Sequence, residues 1–323
     1  MRLLVTGGFG FIGSAFVSKA VGHGHEIVII DKMTYAADLD NIPEPIRETI
    51  LVSNLDLANK VELDKFLYSQ DEFDFIVNFA AESHVDRSIE DGLPFVQSNV
   101  LGVVNLLEHI KIFPQTKFLQ ISTDEVYGTI QNGSWDESYS LNPRSAYSSS
   151  KAAAEMFCNA YRNTHDLQIW ITRCANNYGP RQSAEKLIPT VIRSILSNQK
   201  VPVYGNGLNC REWIYVEDHA LAILKIIESK NPLSRIYNLG GVELTNIELV
   251  TRILKIMGSD ESRISFVDDR KGHDYRYSVD DSLYRNEFGE LGSPSFHSQI
   301  ELTVSWYLNN ENWLSRSHAR LKK

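Results

Sequence analysis

Three cysteines in 323 residues are few. Cys158, Cys174 and Cys210 are also too dispersed for a disulfide framework or a zinc site. Buried or inert thiols in a reducing compartment are expected, and no metal. Basic runs are missing too. With a net charge of −9, no nucleic-acid partner is expected. Anionic small molecules stay compatible, because their binding is local. No apolar run reaches the roughly 20 residues that span a bilayer, so no membrane partner is expected. The first residues read as a strand and not as a signal peptide, which leads to an expected cytoplasmic location. Internal repeats and low-complexity segments are lacking. What remains is ordinary globular material: 43% hydrophobic and 23% charged residues. The length suits one large domain, or a domain with a smaller lobe.

Leu3-Leu4-Val5 is a short apolar run ending in Thr6. Gly7-Gly8-Phe9-Gly10-Phe11-Ile12-Gly13 follows, then a helical stretch over about 14–21. Gly7, Gly10 and Gly13 have the spacing that permits a tight turn and close approach of backbone to a pyrophosphate at a helix N-terminus. A second strand, 26–30, ends in Asp31, 18 residues past Gly13. A carboxylate there suits the ribose hydroxyls of NAD and repels the 2′-phosphate of NADP. Lys32 softens that preference. NAD is the expected cofactor, with Phe11, Ile12 and Ala80 among its contacts.

Strands at 50–52, 73–79, 118–121 and 169–172, the second of them longer and buried, alternate with helical segments, including a long amphipathic one at 95–110. Such alternation predicts a Rossmann-type, doubly wound parallel α/β sheet. Beyond Arg173 the alternation loosens. Asn176-Asn177-Tyr178-Gly179-Pro180 reads as a turn-forming break. We expect an NAD-binding domain over 1–175, a return of the chain to it near 212–230, and a mostly substrate-binding lobe over 176–323. In that lobe Lys186, Arg211, Arg270 and His273 are candidates to meet a diphosphate.

The stretch from Ile121 to Lys151 carries the chemistry. Thr123, Asp124 and Glu125 stand at the C-terminal end of a buried strand, where open α/β sheets bind ligands. Tyr147 and Lys151 are four apart and share one helical face. An ammonium beside a phenol favours phenolate, so Tyr147 is expected to act as a general base near neutral pH.

These segments together resemble a known family. Thr6-Gly-Gly-x-Gly-Phe-Ile-Gly13 with Tyr147-x-x-x-Lys151 looks like the extended short-chain dehydrogenase superfamily. Ala80-Ala-Glu-Ser-His-Val-Asp-Arg87, Ser122-Thr-Asp-Glu-Val-Tyr-Gly128, Asn176-Asn-Tyr-Gly-Pro180, Glu185-Lys-Leu-Ile-Pro189 and Arg211-Glu-Trp-Ile-Tyr-Val-Glu-Asp-His219 resemble its dTDP-glucose 4,6-dehydratases. The likeness covers essentially the whole chain. The Thr-Asp-Glu triplet is its most specific part, since sugar epimerases of the superfamily usually lack the acidic pair.

The resemblance implies roles. Tyr147 takes the proton of the sugar 4-hydroxyl as C4 is oxidised by NAD. Thr123 hydrogen-bonds the 4-oxygen. Glu125 removes the C5 proton, and Asp124 protonates the departing 6-hydroxyl. Ser83 and His84 approach the sugar. Asn176, Glu185, Lys186, Leu187, Tyr204, Arg211, Asn246, Arg270, His273 and Tyr277 make the nucleotide-diphosphate pocket. Asp56 and Leu57 flank adenine. The family's dimers, formed through helices resembling 95–110 and 147–163, imply a homodimer. Three departures stand out. Phe9 replaces a small residue and is expected to crowd the pyrophosphate turn. Lys271 stands where proline is typical, and the run 181–184 differs. Competing readings are the same reaction on UDP-glucose, a UDP-sugar 4-epimerase or decarboxylase, which needs no Asp124–Glu125 pair, and a non-catalytic NAD sensor, which needs no Tyr–Lys pair.

Overall fold

The computed structural model describes residues 1–270, 272–292 and 295–321. Its strands are β1 Arg2–Thr6, β2 Glu26–Asp31, β3 Leu51–Asn54, β4 Phe75–Asn78, β5 Lys117–Thr123, β6 Ile169–Cys174, β7 Asn176–Tyr178, β8 Val201–Tyr204, β9 Cys210–Tyr215, β10 Ile236–Leu239, β11 Val242–Thr245 and β12 Ile264–Val267. Seven of them form one sheet in the order β10-β6-β5-β4-β1-β2-β3. Every pairing in it is parallel. This is the expected doubly wound Rossmann-type sheet. The strand order reverses between β1 and β4, and there the following loops part and open a crevice.

β1 and β2 are apolar on both faces because both of their faces are covered. Leu3, Val5, Ile27 and Ile29 meet one layer, with Phe16, Val17 and Ile223. Leu4, Val28 and Ile30 meet the other, with Leu106, Ile110 and Ala154. Each such fully buried side chain contributes about 1.5–3 kcal/mol. The helix Ala146–His165 lies in the second layer. A capping box between Ser145 and Ser148 starts it, and Asp166 in the left-handed region (φ 53°) ends it.

A second core holds the smaller lobe, where Tyr178, Ile188, Val191, Trp213, Leu249, Ile253, Ile300 and Tyr307 pack together. Its sheets are β11-β9-β7 and β12-β8. Here the structure corrects the sequence reading in three places. The segment 176–180 is not simply a break: Asn176–Tyr178 is β7, parallel to β9. Tertiary contacts override its turn chemistry, since Asn177 bonds His219 Nδ1 at 2.8 Å and Tyr178 Oη donates to Gln299 Oε1 at 3.1 Å. The helical stretch at 95–110 contains a π-helical segment, Val96–Leu101, followed by Gly102–Ile112. The return of the chain reaches past 230. Helix Val216–Glu228 packs on helix Phe11–Gly22, and β10 then completes the large sheet against β6.

Candidate active site

The glycine loop is shaped by contacts that leave no room for a Cβ. Gly7 has φ +67°, and a Cβ there would meet the Ala80 nitrogen at 2.7 Å. A Cβ on Gly13 would lie 2.2 Å from the Gly7 carbonyl oxygen. Gly13→Ala should therefore cost about 1–3 kcal/mol as overpacking, read as a lower Tm together with loss of co-purifying dinucleotide. The helix Phe11–Gly22 begins in this loop, so the first-turn N–H groups of Phe11, Ile12 and Gly13 lack intrahelical acceptors. They form an anion-binding edge at the crevice.

Phe9 does not crowd that edge. Its ring is fully buried in the core with Phe16 and Ile42. Its backbone serves the loop instead: the N–H donates to Asp31 Oδ2 at 3.0 Å, and the carbonyl accepts from Asn41 Nδ2 at 2.8 Å. Asp31 also accepts from the Met33 N–H at 2.8 Å. Burial pushes its carboxyl up, while these amides and Lys32 hold it down. A cleft is lined by Gly7, Gly10, Asp31, Lys32, Asp56, Leu57 and Ala80. Lys32 Nζ donates to Ser98 Oγ at 2.7 Å and lies 3.3 Å from Glu82. Glycine cradle, free helix N-terminus and terminal carboxylate are the donor and acceptor set that a dinucleotide's pyrophosphate and ribose require.

Beyond this cleft, β5 ends in Thr123, and Asp124–Tyr127 continues as a short 3₁₀ helix. Thr123 Oγ1 donates to Asp124 Oδ1 at 3.2 Å and accepts from the Glu125 N–H at 3.3 Å. Asp124 is buried, and its Oδ2 has no hydrogen-bond partner among the described residues. Desolvation, with Glu125 and Glu212 nearby, holds its carboxyl well above the usual carboxylate range. Burial raises Glu125 as well, but Arg270, Arg211 and Lys186 all pull it back toward the ionised form. The adjacent carboxyls thus divide into a proton holder, Asp124, and a more readily ionised partner, Glu125.

Tyr147 and Lys151 lie on the helix facing this turn. The expected lowering of the phenol by the lysine is not what the structure shows. Desolvation, then Glu125, Cys174 and Asp124, push the Tyr147 phenol well above its ordinary value, opposed by a hydrogen bond from Thr123. Lys151 Nζ instead donates to the Ile121 carbonyl at 2.6 Å. Burial brings the Lys151 ammonium down to about 8. In this state the phenol keeps its proton.

The cations expected around a diphosphate gather on the smaller lobe's side of the crevice. Arg211 is buried, 4.3 Å over the Tyr277 ring, and donates to the Asp274 carbonyl at 2.9 Å. Tyr277 Oη donates to Asp274 Oδ2 at 2.7 Å. Lys186 Nζ donates to the Ser83 carbonyl at 2.9 Å. Arg270 and Tyr204 both reach Asp86, at 3.8 and 3.4 Å. His273 pairs with Asp269 at 2.6 Å and packs edge-on against Tyr204. His84 lies 3.6 Å from Glu185, and burial lowers its ring to about 4, so it is neutral. Asn176 begins β7 with its Oδ1 buried and without a partner among the described residues. Leu187 and Asn246 open helices Leu187–Leu196 and Asn246–Ile256; Leu187 packs on the lobe's core, and the Asn246 N–H donates to the Asn209 carbonyl. Lys271 lies outside the described residues.

Two residues escaped the sequence reading. Tyr35, in the loop after β2, donates to Glu185 Oε1 at 3.3 Å, and the Arg87 guanidinium stacks 3.9 Å over its ring. Together they join the cofactor-side loop to the smaller lobe. Arg87 sat in a quoted segment, but Tyr35 and Glu185 are 150 positions apart and no periodicity links them.

Comparison with known proteins places the chain. The family model described as GDP-mannose 4,6 dehydratase matches residues 4–299. The low-salt glycan biosynthesis protein Agl12 of Haloferax volcanii is 43% identical, over 96% of this chain and 100% of its own. The dTDP-glucose 4,6-dehydratase of Streptomyces antibioticus is 40% identical, over 97% of this chain and 94% of its own. The crystal structure of the dTDP-glucose 4,6-dehydratase DesIV from Streptomyces venezuelae, solved with NAD bound, superimposes with a TM-score of 0.92 at 41% identity, covering 97% of this chain and 98% of that one. With a parallel sheet ending in Thr123-Asp124-Glu125 beside Tyr147 and Lys151, the chain belongs to the dTDP-glucose 4,6-dehydratase family of the extended short-chain dehydrogenases.

Proposed function

We propose that this chain is an NAD-dependent dTDP-glucose 4,6-dehydratase, which forms dTDP-4-keto-6-deoxyglucose and water. The observation that carries the reading is the carboxyl pair with divided protonation, Asp124 and Glu125, set against Tyr147 and Lys151. Gly7, Gly10, Phe11, Ile12, Gly13, Asp31, Lys32, Asp56, Leu57 and Ala80 would hold NAD. When bound, NAD supplies a positive charge and an acceptor for the C4 hydride, which it later returns to C6. The protein moves the protons. Tyr147 Oη, in its ionised form, takes the 4-hydroxyl proton, and the Thr123 hydroxyl donates to the 4-oxygen. A ketone at C4 acidifies the C5 hydrogen, which Glu125 removes. Asp124 gives its proton to the 6-hydroxyl, which leaves as water. Glu125 then returns its proton to C5, and exchange with solvent takes the proton from Tyr147 and restores the one on Asp124. Ser83 and His84 face the sugar, while Lys186, Arg211, Arg270, His273 and Tyr277 receive the diphosphate and nucleoside. Incubation with dTDP-glucose and UDP-glucose in parallel, with products read by NMR, tests this. The expected result is a 6-deoxy-4-ketosugar from dTDP-glucose. Interconversion of C4 epimers without loss of oxygen would refute the reading.

Asp31 motivates NAD over NADP, since a buried carboxylate beside a 2′-phosphate is costly. Freshly purified protein, denatured, should release NAD(H). Release of NADP would defeat the assignment.

We also place the protein in the cytoplasm as a homodimer. Its three cysteines are unpaired, which agrees with a reducing compartment, and no described helix is long and apolar enough to cross a membrane. The helices 93–112 and 146–165 expose Leu93, Val96, Leu101, Met156 and Phe157, an apolar surface fit for a second copy. Sedimentation should give twice the chain mass, and Leu101→Lys with Met156→Lys should return it to one.

A further inference from the structure

Tyr147, Lys151 and Glu155 follow at intervals of four, so they line one face of helix Ala146–His165. The first two belong to the proposed reaction. The proposed reaction gives Glu155 no role, yet it is fully buried. Its carboxylate receives a fork from Arg173, with Nε at 3.0 Å and Nη2 at 2.7 Å from Oε2. Arg173 is itself 3% exposed. It sits in β6 beside Ser122 of β5, with Cys174 beside Thr123. Its Nη1 donates to Tyr127 Oη at 2.5 Å and to the Glu137 carbonyl at 3.3 Å. Tyr127 closes the short helix that carries Asp124 and Glu125, and its hydroxyl donates to Asn238 Oδ1 in β10 at 2.9 Å. One guanidinium therefore holds the helix of the base and the turn of the acids.

A buried ion pair is poor evidence for stability, because apolar groups of similar volume often do as well. What a forked contact supplies is fixed distance and angle. Glu155 also acts electrostatically on Lys151, one helical turn before it. From β6 the ammonium sees Cys174, and along its own helix it sees Cys158 and Glu155. Burial keeps both thiols protonated, with Cys174 pushed up to about 12. The Tyr147 phenol is neutral as well. On that face Glu155 is the carboxyl that receives a guanidinium.

We propose that Glu155 and Arg173 are positioning residues: they fix the Tyr147–Lys151 face against the Asp124–Glu125 turn, and Glu155 supplies the counter-charge of Lys151. The rate predictions rest on the dehydratase reading; the lysine titration does not.

Three variants test this. Glu155→Gln keeps shape and a neutral acceptor. Tyr127→Phe removes one hydroxyl and no charge. Glu155→Leu with Arg173→Met replaces the pair by apolar groups. The measurements are the melting temperature, the titration of labelled Lys151 by NMR without sugar, and kcat and KM for dTDP-glucose against pH. In Glu155→Gln the lysine should titrate about one pH unit lower. The alkaline limb of kcat should follow, since an ammonium of lower pKa loses its proton earlier as pH rises. Tyr127→Phe should leave that titration in place and lower kcat about tenfold, with KM within about twofold. The apolar double variant should melt near the wild type and lose about 10- to 100-fold in kcat. Native kcat in a folded double variant overturns the positioning role, and an unmoved lysine titration in Glu155→Gln overturns the counter-charge. Should the double variant not fold, native kcat in Tyr127→Phe overturns the positioning role on its own. A wild-type protein inert toward dTDP-glucose would refute the activity, while the lysine titration would still judge the pair.

Discussion

Glu125→Gln should reduce its bound cofactor on addition of dTDP-glucose and then stop. The substitution keeps shape and hydrogen bonding but cannot accept the C5 proton. Asp124→Asn should stop at a neighbouring point for a different reason, because an amide has no proton to give to the 6-hydroxyl. Both lie at the end of β5, where Asp124 is held protonated and Glu125 is drawn toward the anion by Arg270, Arg211 and Lys186. Overall turnover should fall by about 10²–10⁴, the range for a removed general acid or base. Deuterium exchange at C5 separates the two. It should be suppressed in Glu125→Gln and persist in Asp124→Asn, since removal of the C5 proton does not itself use that acid. Near-native yield of the 6-deoxy-4-ketosugar from both variants would defeat the mechanism.

Tyr147→Phe acts one step earlier. The ring stays, the ionisable oxygen goes, and reduction of bound cofactor by the sugar should slow by about 10² or more. The phenol of the wild type is pushed up by burial and by Glu125, so its step should accelerate as pH rises and the proton is lost. In Tyr147→Phe that pH dependence should disappear. Rapid-mixing absorbance of the reduced cofactor measures both. A native single-turnover rate in the variant would remove Tyr147 from the role of base.

What could be read from the chain beforehand was local. Gly7, Gly10, Gly13 and Asp31 announce themselves because strand, turn, helix and next strand follow one another within about thirty residues, and each glycine answers a steric demand of that turn. Thr123, Asp124 and Glu125 could be placed at a strand end by hydropathy alone. Directions of side chains and charges could not. Phe9 looked like an obstacle in the loop, yet its ring turns into the core and only its amide faces Asp31. The spacing of Tyr147 and Lys151 was right for one helical face, but spacing says nothing of the Ile121 carbonyl, which takes the ammonium, or of Glu125, which raises the phenol. Asn176–Tyr178 carries turn residues and became a strand because partners from β9 and beyond claim its backbone and side chains.

The place of β10 has a consequence for how the protein can be made. A ribosome that has released only residues 1–175 holds a sheet whose β6 offers a bare edge, because the strand that covers it, Ile236–Leu239, is not yet out. Unpaired edges invite association with other chains. A first domain cut at 175 should therefore carry that edge uncovered and be prone to associate. The sheet's last strand arrives only after the chain has laid down β7, β8 and β9. Exchange of the smaller lobe should therefore carry β10 with it or leave β6 bare.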